Sequence, residues 1–450
     1  MSKQQNIHGL WHSRWLFILA ATGSAVGLGN LWKFPYITGE NGGGAFVLVY
    51  LFCICLVGIP VMIAEVMLGR AGRQSPINAM TALVKKQNIS NGWVAIGWMG
   101  ALAGFLTLSF YSVIAGWALD YIFSMASGVF KDVSSEQSGV IFSSLLANPA
   151  TLLLWHSLFM LLTLYVVARG VNEGIEKAIR ILMPVLFILL GLLLTYAFTL
   201  DGFTQGFAFL FSFDFNKLSS ESVIVALGHA FFTLSLGLGA IMAYGAYMPE
   251  DASIGKTVLI VGTLDTLVAL AAGLVIFSIV FTNGLEPSSG PGLLFQTLPI
   301  AFGQMPFGTL FGSLFFILVA FAAWSSSISL AEPIVAWAVE SRGISRHKAA
   351  LMIGITAWVL GIGTVFSFNI WSDYTVFGKT FFDSLDFLTT NIMLPLSGLL
   401  IAIFVSWIMR DSDIAQEVRM ENPTLYKLWL LILRFIAPIA ILVVLVNGLL

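Results

Sequence analysis

The run Thr22-Gly23-Ser24-Ala25-Val26-Gly27-Leu28-Gly29-Asn30 sits in the middle of an apolar stretch that begins near Arg14. A glycine in a helix interior costs about 0.5–1 kcal/mol relative to alanine, and three occur here within seven residues. Thr22, Ser24 and Asn30 add polar groups beside them. In hydrocarbon such a segment is tolerated only where the freed backbone groups are buried in protein or line a cavity. A second run of the same kind, Thr233-Leu234-Ser235-Leu236-Gly237-Leu238-Gly239, interrupts another apolar stretch, and both carry Gly-Leu-Gly.

Outward from these runs, apolar stretches recur along all 450 residues. Hydrophobic residues make up 58% of the chain and charged residues only 10%. Soluble domains carry about 25% charged residues, so the composition excludes that class. Eleven stretches are long enough to cross a bilayer, near 14–38, 43–70, 92–124, 149–168, 175–199, 222–249, 256–283, 305–340, 347–368, 380–409 and 428–449. With a cytoplasmic N-terminus, the inner segments hold Lys3, Arg14, Arg70, Arg73, Lys85, Lys86, Arg169, Lys177, Arg180, Lys256, Arg342, Arg346, Lys348, Arg410, Arg419 and Lys427. The outer loops then hold Lys131, Lys217 and Lys379, an asymmetry that orients the chain and places its C-terminus outside. No basic run suggests nucleic acid. Cys53 and Cys55 point to different helix faces, which precludes an ordinary disulfide between them.

The two glycine runs lie five spans apart, so the halves that contain them have opposite topology. Small residues also let helices pack closely. Two such runs with flanking Ser, Thr and Asn point instead to paired broken helices around a transporter's central site. The expected architecture is all-α and membrane-integral: 14–199 as a first five-helix repeat, 222–409 as its inverted counterpart and 428–449 as an extra helix, in one domain over 1–450.

Gly23 to Tyr36 (GSAVGLGNLWKFPY), Glu40 to Phe46 (ENGGGAF), Phe231 to Ala240 (FFTLSLGLGA) and Ser325 to Pro333 (SSSISLAEP) resemble the neurotransmitter:sodium symporter family, in its bacterial amino-acid branch. The resemblance covers nearly the whole chain. It implies two sodium ions and an amino acid as ligands, and a multi-pass protein of the bacterial inner membrane. By matching position, the first sodium would meet Ala25, Asn30, Thr233 and Asp265. The second would meet Gly23, Val26, Ala322, Ser325 and Ser326. Substrate would contact Ala25, Leu28, Gly29, Thr107, Tyr111, Phe232, Thr233, Ser235, Leu238, Ser326, Ser329 and Leu330. Lys33, Phe232 and Asp386 match an outer gate, and Trp11, Tyr247 and Glu340 an inner one. His8 stands where the family pattern has an arginine, with Lys3 as a candidate substitute. Glu65 matches a glutamate that braces the broken helices.

Several of these residues also speak for themselves. An acid at the depth of Asp265 is costly unless paired and marks a functional site by default. Chloride-dependent relatives resemble this sequence but carry asparagine there, so a fixed carboxylate implies transport without chloride. His229 stands where those relatives have glutamine, and its spacing leaves open whether it faces Asp265 or the outer pathway. Leu238 replaces a phenylalanine of a leucine-carrying relative, which suggests a large hydrophobic or aromatic substrate. Gly174 and Pro184 match a pattern that unwinds in relatives, although a plain kink explains them as well. No catalytic grouping or metal-ligand spacing among the histidines suggests an enzyme. An ion channel and a binding sensor remain rivals. The oligomeric state cannot be read from the sequence.

Overall fold

The computed structural model describes residues 9–287 and 292–449. Nine helices in it are long and apolar enough to cross a membrane, or ten when one bent pair is taken as a single span. Their order is Gly44–Gly72, Asn91–Ala126, Pro149–Ala168, Val171–Ala197, Ile254–Thr282, Gly308–Arg342, Arg346–Ser367, Phe381–Ile408 and Pro423–Leu449. The bent pair is Arg14–Ala25 with Gly29–Glu40, at 51°. Two further pieces, Ser220–Thr233 and Ala240–Ala246, flank a six-residue non-helical segment. The count of crossings is thus nine or ten by length, and the eleventh of the sequence reading rests on this shorter pair.

Both breaks have local causes. Val26 turns extended (φ −70°, ψ 107°) after closing the last turn on the Thr22 carbonyl at 2.7 Å. Gly27 then passes so close to the neighbouring helices that a Cβ would lie 2.6 Å from Ser326 Oγ and 2.9 Å from the Tyr111 hydroxyl. In the second break Ser235, Gly237 and Gly239 take φ of 53°, 75° and 71°. That left-handed region is routinely open to glycine, which explains two of the three identities.

Around the breaks, Asn91–Ala126 and Gly308–Arg342 pack along one another and form the scaffold. They are also the most enclosed spans, with 78% of their apolar windows buried, whereas Pro423–Leu449 has 22% and lies at the periphery. Interior helices need small residues for close approach, and Gly69 and Gly245 supply them where Gly44–Gly72 meets Ala240–Ala246.

Some expectations need correction. Between the spans, Pro76–Gln87, Ser135–Ala147, Phe203–Phe211 and Asp411–Val418 are additional helices that the reading of eleven spans did not include. Polar caps make them legible in hindsight, since Ser134 and Gln137 form a capping box. Between Gly174 and Pro184 the chain stays helical, so this conformation has no unwound segment there. Cys53 and Cys55 are both free thiols.

Candidate functional site

The two breaks meet at Asp265, a fully buried side chain on Ile254–Thr282. Its Oδ1 accepts from Asn30 Nδ2 at 2.8 Å, and its Oδ2 from the Thr233 hydroxyl at 3.0 Å. Asn30 also donates to the Asp265 carbonyl at 3.1 Å and accepts from the Gly27 N–H at 3.1 Å. Three of the four residues matched to the first sodium therefore form one bonded group, and Ala25 lies beside them on the wall of the central cavity. Opposite charge or hydrogen bonding is what makes a buried carboxylate tenable, and here two different helices provide the bonds.

A second cluster of oxygens lies where the first helix breaks. Ser326 Oγ is 3.2 Å from the Val26 carbonyl, 3.3 Å from that of Ser24 and 3.4 Å from that of Gly23. Ser325 Oγ donates to the Ala322 carbonyl at 2.9 Å, and a Cβ at Gly23 would lie 3.3 Å from Ser325 Cβ. All five residues matched to the second sodium thus lie in one neighbourhood. Hydroxyl and carbonyl oxygens are the ligands a hard cation takes. Among the described residues no group of three or more His, Cys, Asp or Glu side chains could hold a metal ion.

Between the clusters lies a cavity of ≈ 30 Å³ lined by Ala25, Leu28, Gly29, Thr107, Tyr111, Phe232, Ser235, Leu238, Ser326 and Leu330, with Ser24 and Gly27. A water needs about 10–15 Å³ on this scale, so an amino acid enters only if these walls move apart. The Tyr111 hydroxyl accepts the Leu28 N–H at 3.3 Å, at the start of the second half-helix. A helix start of this kind favours a carboxylate. Ser329 departs from the sequence expectation. Its hydroxyl donates to the Ser326 carbonyl at 2.7 Å and receives the Ser24 hydroxyl at 2.8 Å, which ties it between helices and off the cavity wall.

Above the cavity, a vestibule of ≈ 220 Å³ is bounded by Leu28, Trp32, Lys33, Tyr36, Phe110, Tyr111, Phe232, Phe382 and Asp386. Leu28, Tyr111 and Phe232 belong to both walls and separate the two spaces. Lys33 and Asp386 both line the vestibule, yet no ion pair joins them among the described residues. Lys33 Nζ stands 4.6 Å over the Phe232 ring, and Asp386 accepts the Thr390 hydroxyl at 3.0 Å. His229 lines a separate crevice with Lys33, Glu40 and Glu221 and not the vestibule. It stacks on Phe34, its ring centre 5.9 Å away, and among the described residues neither ring nitrogen has a hydrogen-bond partner.

At the opposite end Trp11 donates its backbone N–H to Tyr247 at 3.0 Å and its indole N–H to the Tyr244 carbonyl at 3.2 Å. The Tyr247 hydroxyl donates to Glu332 at 2.7 Å, and Arg346 ion-pairs with the same buried carboxylate. Glu340 accepts from the Ser75 N–H at 2.8 Å and from Asn78 Nδ2 at 2.8 Å, pinning the start of Pro76–Gln87. His8 and Lys3 lie outside the described residues. The sequence reading missed Glu332 and Arg346, although an acid inside the quoted SSSISLAEP run was a signal by the same rule applied to Asp265. It also missed Ser24, whose carbonyl accepts the Ser235 hydroxyl at 2.8 Å and so joins the two breaks. Glu65 is fully buried and accepts the Gly237 N–H at 3.0 Å, inside the second break.

The chain as a whole is similar to known proteins. The sodium:neurotransmitter symporter family model matches residues 8–132 and 143–450. An uncharacterised sodium-dependent transporter, YhdH of Bacillus subtilis (strain 168), is 41% identical over 99% of this chain and 98% of its own. An uncharacterised sodium-dependent transporter of Haemophilus influenzae is 34% identical over 98% of each. The crystal structure of MhsT in complex with L-phenylalanine superposes with a TM-score of 0.89 at 44% identity, covering 98% of this chain and 99% of that one. The chain belongs to the sodium:neurotransmitter symporter family, whose members are membrane transporters and not enzymes.

Proposed function

We propose that this protein is a sodium-coupled symporter that takes up a hydrophobic or aromatic L-amino acid by alternating access and without chloride. The observation that carries the reading is the buried Asp265 carboxylate, bonded to Asn30 and Thr233 at the meeting of the two helix breaks. One sodium would bind among Ala25, Asn30, Thr233 and Asp265, and a second among Gly23, Val26, Ala322, Ser325 and Ser326. The substrate carboxylate would take the Leu28 and Gly29 N–H groups and the Tyr111 hydroxyl. Its side chain would lie toward Thr107, Leu238 and Leu330. MhsT holds phenylalanine in a chain of the same fold, which supports an aromatic or large apolar ligand. Leu238 leaves room that a ring would fill.

In this reading Ser220–Thr233 and Ala240–Ala246 together make the eleventh crossing, 14–199 and 222–409 are inverted repeats, and 428–449 is the extra helix. The N-terminus lies in the cytoplasm and the C-terminus outside the inner membrane. Sodium and substrate enter through the vestibule, and Phe232 with Lys33 closes above them. Rocking of the broken helices then parts Trp11, Tyr247 and the Glu332–Arg346 pair below. Sodium drives this only through unequal affinity for the states of the cycle. Equilibrium dialysis of the purified protein against mixed labelled amino acids, in sodium chloride, sodium gluconate or potassium chloride, tests the reading. Retention of large apolar amino acids in both sodium salts and not in potassium supports it. Retention that needs chloride removes the role given to Asp265, and retention in potassium removes sodium coupling.

A further inference from the structure

Past the end of Arg346–Ser367, on the side of the vestibule, the chain forms a tight hairpin. Val376 and Lys379 exchange backbone hydrogen bonds of 2.9 and 3.1 Å around the turn Phe377-Gly378. Both turn residues have positive φ, 52° and 74°. Such turns take Asn-Gly or Gly-Gly because other side chains are strained there. A phenylalanine in the first position is an outlier, and its side chain is 99% exposed, so packing within the chain does not compensate the strain. Tyr374 is 75% exposed and Val376 66%.

Beside the hairpin runs a groove of ≈ 610 Å³ lined by Ile370, Trp371, Tyr374, Val376, Phe381 and Ser384, with the Lys379 side chain at its edge. The preceding helix also presents apolar side chains outward. Leu351, Ile355 and Val359, spaced four apart on one face of Arg346–Ser367, are exposed at 57, 50 and 54%. In a membrane transporter such a stripe meets acyl chains; beyond it Ile362 and Phe366 are half-buried, and Ile370 is again 58% exposed at the foot of the hairpin. An exposed apolar patch at the end of a helix long enough to cross a bilayer fits lipid in preference to water.

We propose that the hairpin is a bilayer anchor: Phe377 inserts at the level of the headgroups, and the groove seats one acyl chain of a phospholipid. The Lys379 ammonium, 4.4 Å over the Phe387 ring, stands where a headgroup phosphate would lie. The seat is linked to the transport path. Thr380 caps the next helix with a reciprocal bond to Asp383, and the Phe382 N–H donates to Ser367 Oγ at 3.0 Å. Phe382 and Asp386, in the first turns of Phe381–Ile408, line the vestibule, so the lipid steadies one of its walls.

The test uses the full chain in bilayers containing a phospholipid with a photoactivatable diazirine on its acyl chain, followed by peptide mapping. Label is expected within 370–384, and Ser384→Trp, which fills the groove, removes it there while Arg346–Ser367 stays labelled. Independently, a nitroxide on Phe377→Cys, with Cys53 and Cys55 replaced by serine, is expected to collide with oxygen more than with a water-soluble nickel chelate. A nitroxide at the exposed Asn216 serves as the aqueous comparison. Absence of label in 370–384, label indifferent to Ser384→Trp, or nickel access at Phe377→Cys equal to that at Asn216 overturns the proposal. So does efficient crosslinking of two copies through Phe377→Cys, which assigns the patch to a protein interface.

Discussion

Asp265→Asn changes a single charge at the point where both helix breaks meet. The amide keeps the shape and can still bond Asn30 and Thr233, which now sit 2.8 and 3.0 Å from the carboxylate oxygens. A sodium ion sharing the Thr233 hydroxyl would lie roughly 4 Å from the carboxylate. At that distance, with an effective dielectric constant near 20, the attraction is about 4 kcal/mol. The amide dipole recovers part of this, so about 3 kcal/mol remains, which is roughly a hundredfold loss of sodium affinity. The assay is sodium titration of labelled amino-acid binding in gluconate and again in chloride. The variant should need far more sodium in gluconate and regain affinity with chloride, which supplies the missing charge. An Asp265→Asn protein that keeps the parent's sodium dependence to within about twofold, or 0.4 kcal/mol, refutes the reasoning.

Other expectations follow from neighbouring features. Leu238→Phe adds ring volume to the central cavity wall, so competition binding should shift toward smaller side chains; unchanged preference would remove Leu238 from the selectivity surface. Arg346→Met strands the fully buried Glu332 with the Tyr247 hydroxyl and should cost about 3–5 kcal/mol, while Arg346→Met with Glu332→Gln recovers much of it in thermal unfolding. Equal destabilisation by the single and double variants would contradict the pairing. Where Pro76–Gln87 meets Asp411–Val418, the Gln87 amide and Lys86 hold the Asp413 carboxyl below its usual range. Its folded value is the lower one, so its stabilisation is present above the ordinary value near 4 and fades as pH falls through the depressed value. The melting difference between parent and Asp413→Asn should therefore shrink in acid, and a constant difference would refute it.

The positions of the breaks were legible because glycine and polar residues at mid-depth contradict the demand of hydrocarbon for a closed backbone. Asp265 was legible for a related reason: an unpaired acid cannot be kept there. What the sequence could not reveal depends on side-chain geometry across helices. Ser329 carries the right chemistry for the cavity but turns away from it: its hydroxyl accepts from the Ser24 hydroxyl and donates to the Ser326 backbone carbonyl. Lys33 and Asp386 have opposite charges, yet Lys33 stands over an aromatic ring. Lysine lacks the planar fork that would hold a carboxylate in two-point contact. The short helices in the loops were missed because their apolar faces are too brief for periodicity to declare them, leaving only caps such as Ser134 and Gln137.

The central claim is that sodium drives accumulation of an amino acid through this protein. Reconstituted in liposomes, the chain should concentrate a labelled large apolar amino acid above its external level under an inward sodium gradient. The gain should be the same in chloride and gluconate and should collapse when potassium replaces sodium. Substrate that binds with sodium but never exceeds equilibrium inside the vesicles would contradict the account and favour a sensor. Uptake that proceeds equally without sodium would contradict it as well.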